Sequence, residues 1–133
     1  TTAGGRSRLG QALITHKPTI VVIALGANDG LRGLPLGQMR DNLNAMVDAS
    51  RAAGAKVVLA GMRLPPNYGP YATDFFVSFK DIAQSKKMPL IDFLLEPIAR
   101  KPQLFQSDNL HPLADAQPLI LDHVWPALAP LLK

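Results

Sequence analysis

Residues 20–25 of this chain, Ile20-Val21-Val22-Ile23-Ala24-Leu25, form an apolar run that leads directly into Gly26-Ala27-Asn28-Asp29-Gly30. The run shows no alternation of polar and apolar residues, which is the pattern of a strand buried on both faces of a parallel sheet. The turn-forming residues behind it predict the end of that strand and a loop rich in Gly and Pro over residues 26–37. An amide side chain at such an exit can donate a hydrogen bond to a developing oxyanion, so Asn28 is a candidate site residue.

Further strands and helices follow this run in alternation. Residues 56–62 and 89–94 read as buried strands, and apolar residues recur at helical spacing in the segments between the strands. Residues 113–132 are predicted to be largely helical and broken by their prolines. The pattern predicts a three-layer α/β/α fold with a parallel sheet, in one domain of 133 residues. In such folds sites gather beyond the carboxyl ends of the strands.

The second informative segment is Asp108-Asn109-Leu110-His111-Pro112. An Asp three residues before a His can hold the imidazole in one tautomer for general-base work. Each residue also has an ordinary interpretation. Asn28 could be only a turn former, Asp108 could be a helix N-cap, and His111 could be a surface histidine. The combination of the two segments favours a catalytic site.

Such a site needs a nucleophile, and no serine of the chain is a good candidate. Three of them, Ser50, Ser78 and Ser85, fall on predicted helices at polar or boundary positions. Ser7 has no strand before it, and Ser107 lies in the loop of His111 itself. Thr1 could act as an N-terminal nucleophile through its own amine, a minor alternative. A metal site built from Asp29, Asp108 and His111 is another alternative. Otherwise we expect a structural role for Asp29, whose carboxylate can accept from amides of its own loop and shape the turn.

The composition excludes some classes of function. The net charge is +4, but the basic residues are scattered and no aromatic residues are interleaved with them, so nucleic-acid binding is not expected. The chain contains no Cys, which excludes disulfides and thiolate chemistry. No apolar run reaches transmembrane length. His16 and His123 lack an acidic partner at comparable spacing, so we expect structural roles for them.

The two segments resemble sequence blocks of the GDSL, or SGNH, hydrolases. Gly26-Ala27-Asn28-Asp29 is similar to the third block of that family, Gly-x-Asn-Asp, and Asp108-Asn109-Leu110-His111 is similar to its last block, Asp-x-x-His. Residues 28–33, 63–69 and 115–118 are typical of the bacterial multifunctional acyl-CoA thioesterase, arylesterase and lysophospholipase subgroup. The resemblance runs over nearly all of the chain.

The resemblance implies a flavodoxin-like fold whose first strands are missing here, so that residues 1–133 are the C-terminal part of a single hydrolase domain. The family's Gly-Asp-Ser block, with its nucleophile, and a second block with an oxyanion-hole glycine would precede Thr1. The resemblance further implies that His111 is the general base, that Asp108 orients it and that Asn28 belongs to the oxyanion hole. It places the acyl chain against Leu31, Leu34, Pro65 and Tyr68, and it requires no cofactor and no metal.

The expected function is therefore that of a serine hydrolase of carboxylic esters or acyl thioesters, once an N-terminal segment of the same protein supplies the serine. The expected partners are that segment and a small ester or thioester, with a role in lipid metabolism. The resemblance implies a periplasmic or secreted protein. The alternative is a non-catalytic flavodoxin-like interaction module or an inert fragment.

Overall fold

The computed structural model describes residues 1–132, which form five α-helices and three β-strands. The helices are α1 (Thr2–His16), α2 (Ala27–Leu31), α3 (Leu36–Ala52), α4 (Pro70–Lys86) and α5 (Gln117–Leu128). The strands are β1 (Ile20–Ile23), β2 (Lys56–Ala60) and β3 (Leu90–Ile91). Short 3₁₀ turns occupy Pro66–Tyr68, Glu96–Ile98, Pro102–Leu104, Ala114–Ala116 and Ala129–Leu132.

The three strands form one parallel sheet in the order β1-β2-β3. Ile20 lies beside Lys56 in the first pair, and Leu59 lies beside Leu90 in the second. Parallel neighbours need crossover connections, which α2 with α3 and then α4 supply. The carboxyl ends of all three strands consequently lie at the same edge of the sheet.

Strand β2 is central and buried on both faces, as its apolar sequence predicts. Val57 and Leu59 belong to the larger core cluster, which α3 and α4 complete with side chains such as Leu43 and Phe79. The intervening Val58 and Ala60 belong to a second cluster, which includes Ile91, Leu94, Val124, Ala127 and Leu131. Helices therefore cover both faces of the sheet, and the predicted three-layer α/β/α architecture is confirmed.

The strands are shorter than the sequence predicts. β1 ends at Ile23 because the chain turns at Gly26, whose φ is 121°, into the short helix α2. This helix occupies a segment that the Gly- and Pro-rich sequence predicts as loop. β3 ends at Ile91, and the chain then turns back: the Leu94 amide donates to the Gly61 carbonyl at 2.9 Å.

The C-terminal helix differs from the prediction at its proline. α5 continues through Pro126 and ends at Leu128, although Pro126 was predicted to break it. A proline removes only its own amide from the helix ladder, and packing of Val124 and Ala127 against the sheet holds the segment in place. Within residues 1–132, no helix combines the length and the apolar character that crossing a membrane requires.

Two serines predicted at polar or boundary helix positions are fully buried. Ser78 on α4 donates to the Asp74 carbonyl at 2.7 Å and accepts from Arg40 Nε at 3.1 Å. Ser50 on α3 is also fully buried. For Ser78 the prediction was wrong because a small hydroxyl can return its hydrogen bond to the preceding helical turn and then fit a tightly packed interface. The buried Ser50 hydroxyl has no hydrogen-bond partner within residues 1–132, so this explanation does not apply to it.

The outer edge of β1 is open in the described part of the chain. β1 pairs with β2 only, and its Val22 side chain is 44% exposed. A groove of about 340 Å³ runs along this edge beneath α1. Its lining is mostly apolar and includes Leu9, Ala12, Val21, Ile23, Leu25 and Met46. An exposed apolar strand edge of this kind is a template for pairing with another strand.

A matched pair of glycine substitutions tests the packing at the end of β2. A Cβ on Gly61 would lie 2.3 Å from the Asp92 carbonyl oxygen, a backbone atom that cannot rotate away, whereas a Cβ on Gly37 in α3 meets nothing within 4 Å. We expect Gly61→Ala to lower the free energy of unfolding by about 1–3 kcal/mol. Gly37→Ala should raise it by about 0.5–1 kcal/mol, because alanine favours the helix. Denaturant unfolding measures both, and equal effects would contradict the predicted contact.

Candidate active site

His111 lies in a hairpin that is closed by its own backbone hydrogen bonds. The Gln106 amide donates to the His111 carbonyl, and the Leu113 amide donates to the Leu104 carbonyl, both at 2.7 Å. Phe105 and Pro112 form an isolated antiparallel bridge. The short-range contacts of residues 104–113 therefore hold the histidine.

The Asp108 carboxylate organises the tip of this hairpin. Its Oδ1 accepts from the amides of Leu110 at 2.9 Å and His111 at 3.1 Å, and its Oδ2 lies 2.5 Å from His111 Nδ1. The side-chain hydrogen bond from His111, followed by the two backbone bonds, lowers the pKa of Asp108 to about 2. Asp108 thus lies within hydrogen-bonding distance of the imidazole, as the spacing predicts.

This contact selects one tautomer of the imidazole. The ionised Asp108 carboxylate can only accept, so Nδ1 of His111 must carry the proton that it donates. The lone pair of a neutral imidazole is then on Nε2. The His111 side chain is 70% exposed, which leaves Nε2 accessible to a reacting group. This arrangement is competent for general-base chemistry.

Asn28 lies at the carboxyl end of β1, on the first turn of α2, and its residue is exposed. Gly26 allows the chain to turn sharply from β1 into α2. Its φ of 121° disfavours other residues, and a Cβ there would lie 2.9 Å from the ring of Phe79. Asn28 and His111 both follow strands whose carboxyl ends share one edge of the sheet. That their side chains converge on one cleft stays a prediction.

Asp29, next to Asn28, has a structural role, as predicted, but with an unexpected partner. The buried carboxylate accepts from the Thr2 amide at 2.8 Å and from the Thr2 hydroxyl at 2.5 Å. The sequence suggested amides of its own loop instead. No three His, Asp or Glu side chains within residues 1–132 cluster closely enough to hold a metal ion. The three side chains of the alternative metal site, Asp29, Asp108 and His111, do not form such a cluster.

The predicted substrate-binding residues lie on two segments that the structure ties together. The Tyr68 hydroxyl donates to the Leu31 carbonyl at 3.0 Å, and the Tyr71 hydroxyl donates to the Leu34 carbonyl at 2.6 Å. Pro65 immediately precedes the 3₁₀ turn that carries Tyr68. These contacts join the segment behind β1 to the segment behind β2. Whether the residues contact an acyl chain stays a prediction.

Tyr71 is a residue that the sequence reasoning missed. Burial, followed by the negative charge of Asp29 and by Tyr68, raises the pKa of its hydroxyl, so the hydroxyl stays protonated and remains a donor. The one feature of the sequence that could have drawn attention to Tyr71 is its position, three residues after Tyr68 and at the start of a helix. Its partner Leu34 is 37 residues away and could not be identified from the spacing.

The described residues supply no nucleophile to His111. No serine or threonine hydroxyl within residues 1–132 hydrogen-bonds to its imidazole, and the Thr1 hydroxyl accepts from the Gly4 amide as the N-cap of α1. Of the other histidines, His123 donates through Nε2 to the Phe93 carbonyl at 2.8 Å, which is a structural contact. His16 lies exposed in the last turn of α1.

The pKa of Asp108 provides a test of the pair. Since the His111 side chain is the largest cause of the lowered value, His111→Ala should raise the pKa of Asp108 from about 2 toward 3.8, with the backbone bonds retaining part of the shift. Because the folded-state pKa is lowered, the contact stabilises the hairpin above about pH 4 and is lost as the pH falls toward 2. NMR titration of the carboxyl carbon measures this, with His123→Ala as the control. An unchanged pKa in His111→Ala would rule out the contact.

Comparison with known proteins identifies the family of the chain. Residues 1–117 match the GDSL-like Lipase/Acylhydrolase family. Over 133 residues the chain is 47% identical to Esterase TesA of Pseudomonas aeruginosa, covering 99% of this chain and 66% of that protein. It is 38% identical over 134 residues to Thioesterase 1/protease 1/lysophospholipase L1 of Escherichia coli K12, covering 100% of this chain and 64% of that protein. The chain thus spans just under two thirds of the length of these relatives.

A solved structure extends the likeness to three dimensions. The psychrotrophic esterase EstA of a Pseudoalteromonas species superposes with a TM-score of 0.91 at 44% identity, covering 99% of this chain and 73% of that one. The family match, the sequence identities and the shared fold agree. The chain belongs to the GDSL-like lipase/acylhydrolase family, a family of enzymes.

Proposed function

We propose that the protein is a serine hydrolase of carboxylic esters or acyl thioesters, in which residues 1–133 are the C-terminal part of a single domain. The observation that carries the proposal is the pairing of His111 with an ionised Asp108 on an exposed hairpin. The esterase and thioesterase names of the relatives support the same reaction class. The nucleophilic serine would come from an N-terminal segment of the same protein.

Each site residue has a defined step in this mechanism. Nε2 of His111 would take the proton of the serine hydroxyl as its oxygen attacks the acyl carbonyl. Asp108 would stabilise the imidazolium that forms, and the Asn28 amide would donate to the oxyanion. His111 would then protonate the departing alcohol or thiol. Attack by water, with His111 again as base, would release the acid and restore the serine.

The substrate would lie between the two segments joined by the tyrosine hydrogen bonds. Leu31, Leu34, Pro65 and Tyr68 would contact the acyl chain, since they surround the exit of β1 and lie on the segment behind β2. A role in lipid metabolism and a periplasmic or secreted location follow from the resemblance as further parts of the proposal. The chemistry requires no cofactor or metal.

The unpaired edge of β1 is an argument for a complementing N-terminal segment. The groove beside β1 is lined mostly by apolar residues, and an extended N-terminal segment would pair with the free amides and carbonyls of residues 20–23. Each buried polar group left unpaired costs about 1–3 kcal/mol, so such pairing is a large gain against the stability of a typical domain. Pairing at this position would bring a residue at the strand's carboxyl end to the edge that carries Asn28.

The assignment of the general base can be tested with a pair of histidine variants. In the complete protein, His111→Ala should reduce the hydrolysis of a p-nitrophenyl ester by about 10³-fold or more, because it removes the proposed general base. His123→Ala should retain most of the activity, since His123 only donates to the Phe93 carbonyl. Comparable losses in both variants would refute these roles.

The complementing segment can be tested by expressing residues 1–133 alone. We expect no monomeric, cooperative thermal transition by circular dichroism, because the β1 edge is unpaired, and no ester hydrolysis. Adding back the N-terminal segment should restore both the transition and the activity. A cooperative monomeric transition without the segment would refute the need for it. Folding without hydrolysis after addition would favour the alternative of a non-catalytic module.

A further inference from the structure

A second concave surface lies at the carboxyl edge of the sheet, apart from the β1 edge. This groove has a volume of about 650 Å³, within the range of small-molecule sites. We call it the basic groove; it is lined by Arg63, Phe93, Glu96, Arg100 and Lys101, with two small apolar residues between them. Arg63 follows β2 and Phe93 follows β3, so the groove opens at the edge of the sheet where Asn28 follows β1.

The charges of the basic groove are unbalanced. Arg63, Arg100 and Lys101 are opposed by the single carboxylate of Glu96. None of these three cations forms an ion pair within residues 1–132. All three are exposed. Cations that converge on a concave surface without carboxylate partners concentrate anions there.

Arg63 is held in an orientation suited to an anion. Its guanidinium carbon lies 4.0 Å from the centroid of the Phe76 ring and 6.0 Å from that of Phe93. Stacking on aromatic rings restrains the guanidinium while leaving the N–H groups at its edge free to donate. A guanidinium restrained in this way can bind a phosphate through two parallel hydrogen bonds. Lys80 Nζ also lies near this ring, 4.8 Å from the Phe76 centroid.

The groove also lies close in sequence to the candidate catalytic hairpin. Lys101 donates its amide to Ile98 and accepts from the Leu104 amide at 3.0 Å. Leu104 in turn accepts the bond from Leu113 that closes the His111 hairpin. The groove wall and the base of the hairpin are therefore linked by consecutive backbone hydrogen bonds. A substrate that reacts at His111 could extend its other half toward the groove.

The geometry points to the basic groove as a binding site for a phosphate carried by the alcohol or thiol half of the substrate, with Arg63 as its principal ligand and Arg100 and Lys101 completing it. This inference rests on the proposed hydrolase function for the identity of the substrate. The phosphate could belong to a glycerophospholipid headgroup or to coenzyme A, which share this chemistry. Binding the leaving half would position the acyl bond and favour charged esters over neutral ones.

Direct binding tests the site without relying on turnover. Calorimetric titration of the complete protein would use coenzyme A and sn-glycero-3-phosphocholine, with pantetheine as the phosphate-free control. We expect one or both phosphate probes to bind and pantetheine to bind more weakly. Arg63→Gln should raise the Kd of the bound probe about tenfold, the size of one lost charge-assisted hydrogen bond. Arg51→Gln, which removes the same charge from the exposed end of α3, should leave the Kd unchanged.

Two further variants guard against a folding defect in Arg63→Gln. Arg100→Gln and Lys101→Gln alter exposed side chains and should each raise the Kd severalfold without changing the circular dichroism spectrum. Binding of coenzyme A alone or of the glycerophosphodiester alone would identify the source of the phosphate. Absence of binding by both probes would overturn the site. Equal Kd values in the wild type and all three groove variants would overturn it as well.

Turnover separates this inference from the proposed function. The ratio of kcat/KM for a phosphate-bearing ester to that for a neutral ester of the same acyl chain should fall about tenfold in Arg63→Gln and stay constant in Arg51→Gln. Phosphate binding that depends on Arg63 in a protein that hydrolyses no ester would support the site and refute the hydrolase. Ester hydrolysis in a protein whose phosphate binding is absent or independent of Arg63 would support the hydrolase and refute the phosphate site.

Discussion

The buried hydrogen bonds between Asp29 and Thr2 are the constraint on which the strand exit depends. Asp29 is 3% exposed, and Thr2, which donates both its amide and its hydroxyl to the carboxylate, is fully buried. The contact fastens the first turn of α1 to α2, and Asn42 of α3 donates to the same Thr2 hydroxyl at 3.2 Å. Three helices are thus joined by the hydrogen bonds of Thr2, two to the Asp29 carboxylate and one from Asn42. Loss of Asp29 would leave two buried donors unsatisfied, at a cost of about 1–3 kcal/mol each.

The two halves of the candidate site are stabilised in different ways. Asn28 owes its position to contacts between residues far apart in sequence, namely the Asp29 network and the packing of Gly26 against Phe79. His111 owes its position to hydrogen bonds and a bridge between residues close in sequence, chiefly residues 104–113. A substitution in the core of α1 or α3 would therefore displace the amide and leave the tautomer of the imidazole intact. The electrostatics of the histidine are equally local, since Asp108 is its only charged partner within residues 1–132.

The parts of the fold that could be predicted from sequence are those that depend on periodicity. The apolar face of α3 and the two-sided burial of β2 follow from spacing, and the contact of Asp108 with His111 follows from a separation of three residues. Strand ends could not be predicted, because hydrogen bonds from other segments, such as that of Leu94 to Gly61, decide where pairing stops. The stacking of Arg63 on Phe76 was equally inaccessible, since no spacing rule relates a loop arginine to a residue on the next helix.

The self-contained hairpin has a consequence for how the proposed enzyme would mature. Its closing bonds and its aspartate all lie within ten consecutive residues, so the base can acquire its reactive tautomer before the sheet is complete. The hydroxyl, in contrast, would arrive only when a strand docks beside β1. The protein would then gain the ability to form the acyl-enzyme last. The first appearance of ester hydrolysis would therefore indicate that the sheet is complete. A partly assembled chain would contain His111 in the correct tautomer and would hydrolyse no ester.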